Sequence, residues 1–390
     1  MTHDFDQSID RSGTHSVKFD ARKAYFGRAD VQPLWVADMD FATPGAVTEA
    51  LIARAQHPVY GYTQYPDSMF QSMIDWCLRR FEWQITRNQI IMCPGVVPSI
   101  YAAIQALTEP GDKIIVQPPV YFPLFNAVTD TERELTLNPL RLEQGHYRMD
   151  LAHLEDCAKQ GARMLLLCSP HNPVGRVWTR EELSALLALA ERYAMTIISD
   201  EIHADLIYPE QKHIPLASLT DSVNVLTTIA PSKTFNIPGL GLSSIIVPKA
   251  EDRKAIQRVT NQWQVSATNP FSITAFEAAY QHGEEWLEAL MRYLDNTRAR
   301  TEEFVDSELQ HISVIHPEGT YLVWLDCREM GLENAALQQF FIHQAGVGLN
   351  PGYVFGEAGS GFMRLNIGTP WANVQQALTR IKSAQSVSNG

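Results

Sequence analysis

The sequence predicts an α/β fold: a large unit on a mainly parallel central sheet, joined to a smaller α+β unit. Three observations carry this. Through the centre of the chain, short apolar or β-branched runs alternate with helix-like segments, the order that produces parallel βαβ units. The texture changes near residue 285 to one long, charge-mixed helical stretch followed by short strand-like and helical pieces. The length of 390 residues exceeds what one core ordinarily holds, so a large unit with a companion is expected.

Element by element, QIIMC (89–93) is strand-like and stops at Pro94-Gly95. PSIYAAIQAL (98–107) follows with apolar residues at helical spacing, and Pro110-Gly111 ends it before the strand-like KIIVQ (113–117). MLLLC (164–168) reads as a buried strand leading into the loop SPHNPVGR (169–176). Thr179 and Glu182 form a capping box, with Leu183, Leu186, Leu187 and Ala190 marking one apolar helix face. TIISDE (196–201) and VLTTI (225–229) supply further strands. Beyond them, WLEALMRYLDNTRARTEEFVDSEL predicts a long helix; TYLVWLD (320–326), ALQQFFIHQ (336–344) and FMRLNIG (362–368) predict the small unit. The expected division is 49–285 for the large domain, with 1–48 and 286–390 forming the small domain and its N-terminal arm. That arm reads as irregular chain packed on the small unit or on a partner chain.

Composition narrows the function classes. A net charge of −13 argues against a nucleic-acid or anionic-membrane binder, and no helix-turn-helix with a basic face is present. No stretch approaches the ~20 apolar residues of a membrane span. The five cysteines are scattered, without a C-x-x-C, which disfavours a disulfide framework or zinc site and points to a reducing, cytoplasmic setting. The histidines show no metal-ligand spacing, so no metal is expected. GEAGSG (356–361) lacks the Lys-Ser/Thr of a phosphate-binding loop and reads as a flexible loop. GLGLSS (239–244) lacks the last glycine of a dinucleotide fingerprint.

In open α/β sheets, ligands gather at the carboxyl ends of the strands. The residues just past the predicted strands are Pro94-Gly95-Val96-Val97, Tyr121, Asn172, Asp200 with His203, and Ser232-Lys233. They supply a helix N-terminus suited to a phosphate, an aromatic face, an amide, a carboxylate, an imidazole and an amine. A lysine withdrawn from water is driven toward its nucleophilic amine form. Lysine as an imine former, with a carboxylate facing a pyridinium nitrogen, is what pyridoxal 5'-phosphate requires. Taken singly, each residue has a plainer reading: Lys233 snorkelling to water, Asp200 capping a helix, Asn172-Pro173 making a turn, Tyr121 packing in a core, Arg364 pairing with a surface carboxylate.

Several motifs in fixed order resolve the ambiguity. WVADMDFATP (35–44), VYGYTQYP (59–66), SPHNPVGRVW (169–178), SDEIHADLIY (199–208), APSKTFNIPGL (230–240) and NPGYVFGEAGSGFMRLNIG (350–368) together resemble the fold-type I pyridoxal-phosphate enzymes of the class I/II aminotransferase group. More narrowly, they resemble its cystathionine β-lyase, or cysteine C–S lyase, branch. The resemblance covers nearly the whole chain. It implies that Lys233 bonds to the cofactor and moves protons at the substrate Cα. Asp200 then pairs with the ring nitrogen, Asn172 with the ring hydroxyl, and Tyr121 stacks on the ring. Val96, Val97 and Ser232 form the phosphate cup, Tyr62 reaches the phosphate from the neighbouring subunit of a homodimer, and Arg364 clamps the substrate carboxylate in a bidentate fork. His203 stands where many aminotransferases carry tyrosine, and Gly241 where many carry a phosphate-binding arginine; both departures lean toward the lyase branch. The expected activity is β-elimination on cystathionine or other cysteine S-conjugates, yielding a thiol such as homocysteine, pyruvate and ammonia. The alternatives are an aminotransferase on the same fold, and a regulatory protein that binds a protein partner through it.

Overall fold

A computed structural model describes residues 3–265 and 267–388 of the chain. Its centre is a seven-stranded sheet made of β1 (Ile90–Cys93), β2 (Lys113–Val116), β3 (Glu134–Leu137), β4 (Met164–Cys168), β5 (Thr196–Asp200), β6 (Val225–Ile229) and β7 (Ser243–Ile246). The spatial order is β1-β7-β6-β5-β4-β2-β3. Neighbours run parallel except β7, which is antiparallel to both β1 and β6. β4 and β6 are buried at every position, as expected of strands covered on both faces.

Alternation along the strands divides the core. Leu165, Leu167, Ile197 and Val225 face the helix Arg180–Arg192 through Leu183, Leu186, Leu187 and Ala190. Leu166, Cys168, Ile198 and Leu226 face the opposite layer, with Ile100, Ala103 and Ile104 of the helix Val96–Leu107 and Ile256 of the helix Ala250–Trp263. The predicted capping box is formed: the Thr179 hydroxyl accepts from the Glu182 N–H and the Glu182 carboxylate from the Thr179 N–H.

The long helix spans Glu284–Glu308. After it, β8 (Ser313–Ile315), β9 (Leu322–Asp326), β10 (Asn350–Pro351) and β11 (Phe362–Asn366) form an antiparallel sheet in the order β8-β9-β11-β10. The segment 336–344 is helical, with its second half, Phe340–Gln344, wound as a π-helix. The N-terminal region holds two short helices, Val17–Asp20 and Arg22–Phe26. It then joins the C-terminal region: Gln32–Pro33 pairs in parallel with Val347–Gly348, and the Asn366 N–H donates to the Leu34 carbonyl.

One expectation is corrected. GEAGSG (356–361) is a close-packed turn and not a loose loop. Its Gly359 abuts the Gly352 backbone so closely that a side chain on either glycine would collide with the other's carbonyl.

Candidate active site

A cavity of about 780 Å³ opens where the carboxyl ends of β4, β5 and β6 meet the small sheet. β-pairing aligns Asp200 with Cys168 on one side and Thr228 on the other, so the carboxylate leaves the sheet at its floor. Lys233 follows β6 in the short helix Pro231–Thr234. The first turn of Val96–Leu107 brings Val96 and Val97 to the wall. Their N–H groups have no partner within a first helical turn, and Pro98 adds none.

Nine of the ten residues singled out in the sequence line this cavity: Val96, Val97, Tyr121, Asn172, Asp200, His203, Ser232, Lys233 and Arg364. Tyr62 does not. It lies wholly exposed in the irregular stretch 58–66, beside exposed Val59 and Tyr60.

The electrostatics follow from enclosure. Part of the Lys233 side chain faces the cavity, yet desolvation of its ammonium pushes the pKa down to about 8. Asp38 and Asp200 resist that shift, and Arg364 adds to it. Lys233 Nζ donates to the Ala37 carbonyl at 2.5 Å. Asp200 is 4% exposed, and burial pushes its carboxyl up to about 7, against the pull of the Ile202 N–H and of Lys233. His203 is buried with Nδ1 unpartnered; desolvation, then Lys233 and Arg364, drive its pKa down to about 3, so it is neutral. Desolvation and the nearby Asp200 raise the Tyr121 phenol, which keeps its proton.

Arg364 sits mid-strand on β11, opposite Trp324 and Asn350. Its Nη1 donates to Asn172 Oδ1 at 3.0 Å, and Nη2 to Asn350 Oδ1 at 2.7 Å and to the Trp35 carbonyl at 2.9 Å. The guanidinium lies 4.8 Å over the Phe355 ring. Its Nε has no partner. Burial lowers its pKa to about 10, leaving a cation whose hydrogen-bond acceptors among the described residues are neutral oxygens. A buried guanidinium bonded only to neutral oxygens is a natural receptor for a carboxylate.

Sequence reasoning passed over the residues that hold this arrangement. Ala37, Asp38 and Trp35 belong to WVADMDFATP, which carried the resemblance without a role. The Ala37 carbonyl accepts from both Lys233 and the Tyr321 hydroxyl. Asn366 Nδ2 ties the Val36 and Asp38 carbonyls. Asp38 and Asp40 are gripped by Arg11 (2.7 Å to each), and fully buried Lys18 pairs with Asp40 at 2.9 Å. Only the apolar character of this stretch is visible locally; its partners lie far away in the chain.

The cofactor implied by the motifs needs an amine for its aldehyde, an acid for its ring nitrogen and donors for its phosphate. Lys233, Asp200 and the Val96/Val97 turn with Ser232 offer these in one cavity, so the residues present fit pyridoxal 5'-phosphate.

Fold and site together define an α/β enzyme with a lysine and a carboxylate at the ends of parallel strands. The chain belongs to the aminotransferase class I and II family, whose model matches residues 29–381. It is 41% identical to cystathionine beta-lyase PatB of Bacillus subtilis, over 98% of this chain and all of that protein. It is 34% identical to protein MalY of Escherichia coli, over 98% of each. Among solved structures, cystalysin from Treponema denticola, which contains a pyridoxal 5'-phosphate cofactor, superposes with a TM-score of 0.96. The two share 33% identity across the full length of both chains.

Proposed function

We propose that this chain is a pyridoxal-phosphate-dependent carbon–sulfur lyase that cleaves cysteine S-conjugates by β-elimination. The observation that carries it is the gathering of Lys233, Asp200 and Arg364 as the charged groups, among the described residues, of one cavity. Similarity to PatB over the whole chain supports the lyase branch.

When bound, the cofactor supplies an electron sink for negative charge at the substrate Cα. Arg364 binds the substrate carboxylate, exchanging its contacts with neutral oxygens for a charge-assisted fork. Lys233, with its pKa near neutrality, removes the Cα proton. The Cβ–S bond breaks and its electron pair leaves with sulfur as a thiolate, a tolerable leaving group with a conjugate acid near pKa ~8.5 for cysteine-like thiols. The unsaturated amine left behind takes up water to give pyruvate and ammonia. Asp200 would hold the cofactor's ring nitrogen in its protonated form. Asn172 and Tyr121 offer hydrogen-bonding groups to the same cavity, and His203 lines it as a neutral imidazole.

The division of labour proposed with this reading assigns 49–285 to holding the cofactor and 1–48 with 286–390 to supplying Arg364 and the cover. The functional unit is a homodimer in which Tyr62 of one chain reaches the phosphate in its partner; the full exposure of Tyr62 beside Val59 and Tyr60 supports this. The five cysteines, all buried and unpaired, suit a cytoplasmic setting.

The test is incubation of cofactor-loaded protein with cysteine S-conjugates, including cystathionine, while pyruvate and thiol are assayed. Stoichiometric release of both is expected. Amino transfer dependent on a keto acid, without pyruvate, would establish the aminotransferase alternative instead.

A further inference from the structure

The cavity is larger than the cluster of polar groups at its floor, and its outer part has a different chemistry. Among the described residues that line it, Asp200, Lys233 and Arg364 are the charged ones. All three have work at the floor. Towards the mouth the wall is made of Val17, Tyr25, Phe122, Tyr353 and Val354, with buried Trp35 behind Tyr25. Four of these, Val17, Tyr25, Phe122 and Tyr353, are at least 40% exposed, an unusual amount of apolar surface to leave around one opening. Gln338, the polar residue beside them, is neutral and already accepts from the Tyr353 hydroxyl at 3.2 Å.

These rings are held in place. Tyr25 lies against Trp35 with centroids 4.2 Å apart, and Phe26 meets Trp35 edge-on at 5.3 Å. The segment carrying Trp35 is tied down by Arg11 and Lys18 through Asp38 and Asp40. Tyr353 stands on the close-packed turn Gly352–Phe355. The rim is therefore a built wall.

Resting on the lyase reading, we propose that this rim is the subsite for the sulfur substituent, and that the enzyme favours cysteine conjugates whose substituent is neutral and apolar or aromatic. Cystathionine carries a second ammonium and a second carboxylate at its far end. An aromatic face can accept an ammonium, but a carboxylate brought to this rim finds no cation among the described residues with which its own chain lines it, and leaves water without compensation. A benzyl-type group instead exchanges hydration for ring contacts with Tyr25, Phe122 and Tyr353.

The experiment compares S-benzyl-L-cysteine, L-cystathionine and β-chloro-L-alanine on the cofactor-loaded enzyme by pyruvate release. The expected kcat/KM for S-benzyl-L-cysteine exceeds that for cystathionine by about tenfold or more, the range apolar pockets discriminate. Tyr353→Arg, which places a cation on the rim, lowers that ratio by about tenfold, chiefly through KM. Tyr25→Ala lowers kcat/KM for the benzyl conjugate severalfold, again through KM. Equal or better use of cystathionine overturns the proposal and leaves the lyase reading standing. A ratio unmoved by both substitutions overturns it as well, as does pyruvate from β-chloro-L-alanine with none from either conjugate. No pyruvate from any of the three overturns both.

Discussion

Asp200 and Lys233 each lose hydration on folding, and the consequences for stability have opposite pH signs. The Asp200 carboxyl titrates near 7 in the folded chain, above its ordinary 3.8. The folded state thus keeps a proton the unfolded state has lost, and this contribution disappears as pH rises from about 4 to 7. Lys233 is lowered from 10.5 to about 8, so its penalty is full below 8 and is relieved as pH rises toward 10.5. The cofactor-free protein is therefore most strained between pH 7 and 8. Asp200→Asn is expected to melt higher than the parent at pH 7.5 when cofactor-free, by up to about 4 kcal/mol of unfolding free energy. That advantage vanishes near pH 4. Thermal denaturation of both proteins across this range checks the sign; a constant difference would contradict it. The same substitution, like Lys233→Ala, should lower β-elimination by about a thousandfold or more, read as pyruvate release. Stability and activity conflict at these two positions, and that conflict marks a site.

At the scale of elements, the N-terminal segment is the part that does most beyond its size. Lys18 is fully buried and depends on Asp40 and, at 3.7 Å, Asp38 for its charge. Asp40→Ala leaves that ammonium with only the more distant Asp38 and removes one of Arg11's two carboxylate partners. Breaking a buried pair this way costs roughly 3–5 kcal/mol. Denaturant titration should show the loss, accompanied by a raised KM because Ala37 and Trp35 shift against Lys233 and Arg364. A second element-level device is Gly283, between the helices Pro270–His282 and Glu284–Glu308. A methyl there would run into the Phe235 ring and the Ala279 carbonyl. Gly283→Ala is expected to destabilise by about 1–3 kcal/mol and to disturb the turn that carries Lys233, two residues before Phe235.

Elements differed in how plainly the sequence announced them. Met164–Cys168, Thr196–Asp200 and Val225–Ile229 are buried nearly throughout, so the first and third appear as unbroken apolar or β-branched runs and the second as one up to Ser199. Ser243–Ile246 was hidden, because its two serines follow glycine-rich GLGL and the signal there is a turn. Glu134–Leu137 is an edge strand, part-exposed throughout, with too little apolar character to stand out. The cavity floor was legible because each residue follows a strand or a motif. The network of buried Lys18 and Asp40 with part-exposed Arg11 and Asp38 was not, since a charged residue looks solvated until its distant partner is known.

At the scale of the molecule, the exposed stretch 58–66 and the cavity belong to one argument. If Tyr62 serves the partner's cavity, activity is shared between chains. Tyr62→Ala and Lys233→Ala, each nearly inactive alone, should complement when unfolded together and refolded. Half the dimers would be mixed and each would hold one intact site, restoring about a quarter of parental activity. Light scattering should show a dimer throughout. No recovery despite confirmed mixed dimers would place Tyr62 outside the site. Among the described residues no helix is long and apolar enough to cross a membrane.

Arg364 grips the carbonyl of Trp35 across 329 residues of sequence, and Gln32–Pro33 finds its partner strand only at Val347–Gly348. During synthesis the beginning of the polypeptide must wait, undocked, until almost the last stretch has left the ribosome. A truncated product, however well its central sheet has formed, lacks Arg364 and the wall that Leu349 to Val354 supply. Competence arrives late, with the closing of a loop that spans most of the chain.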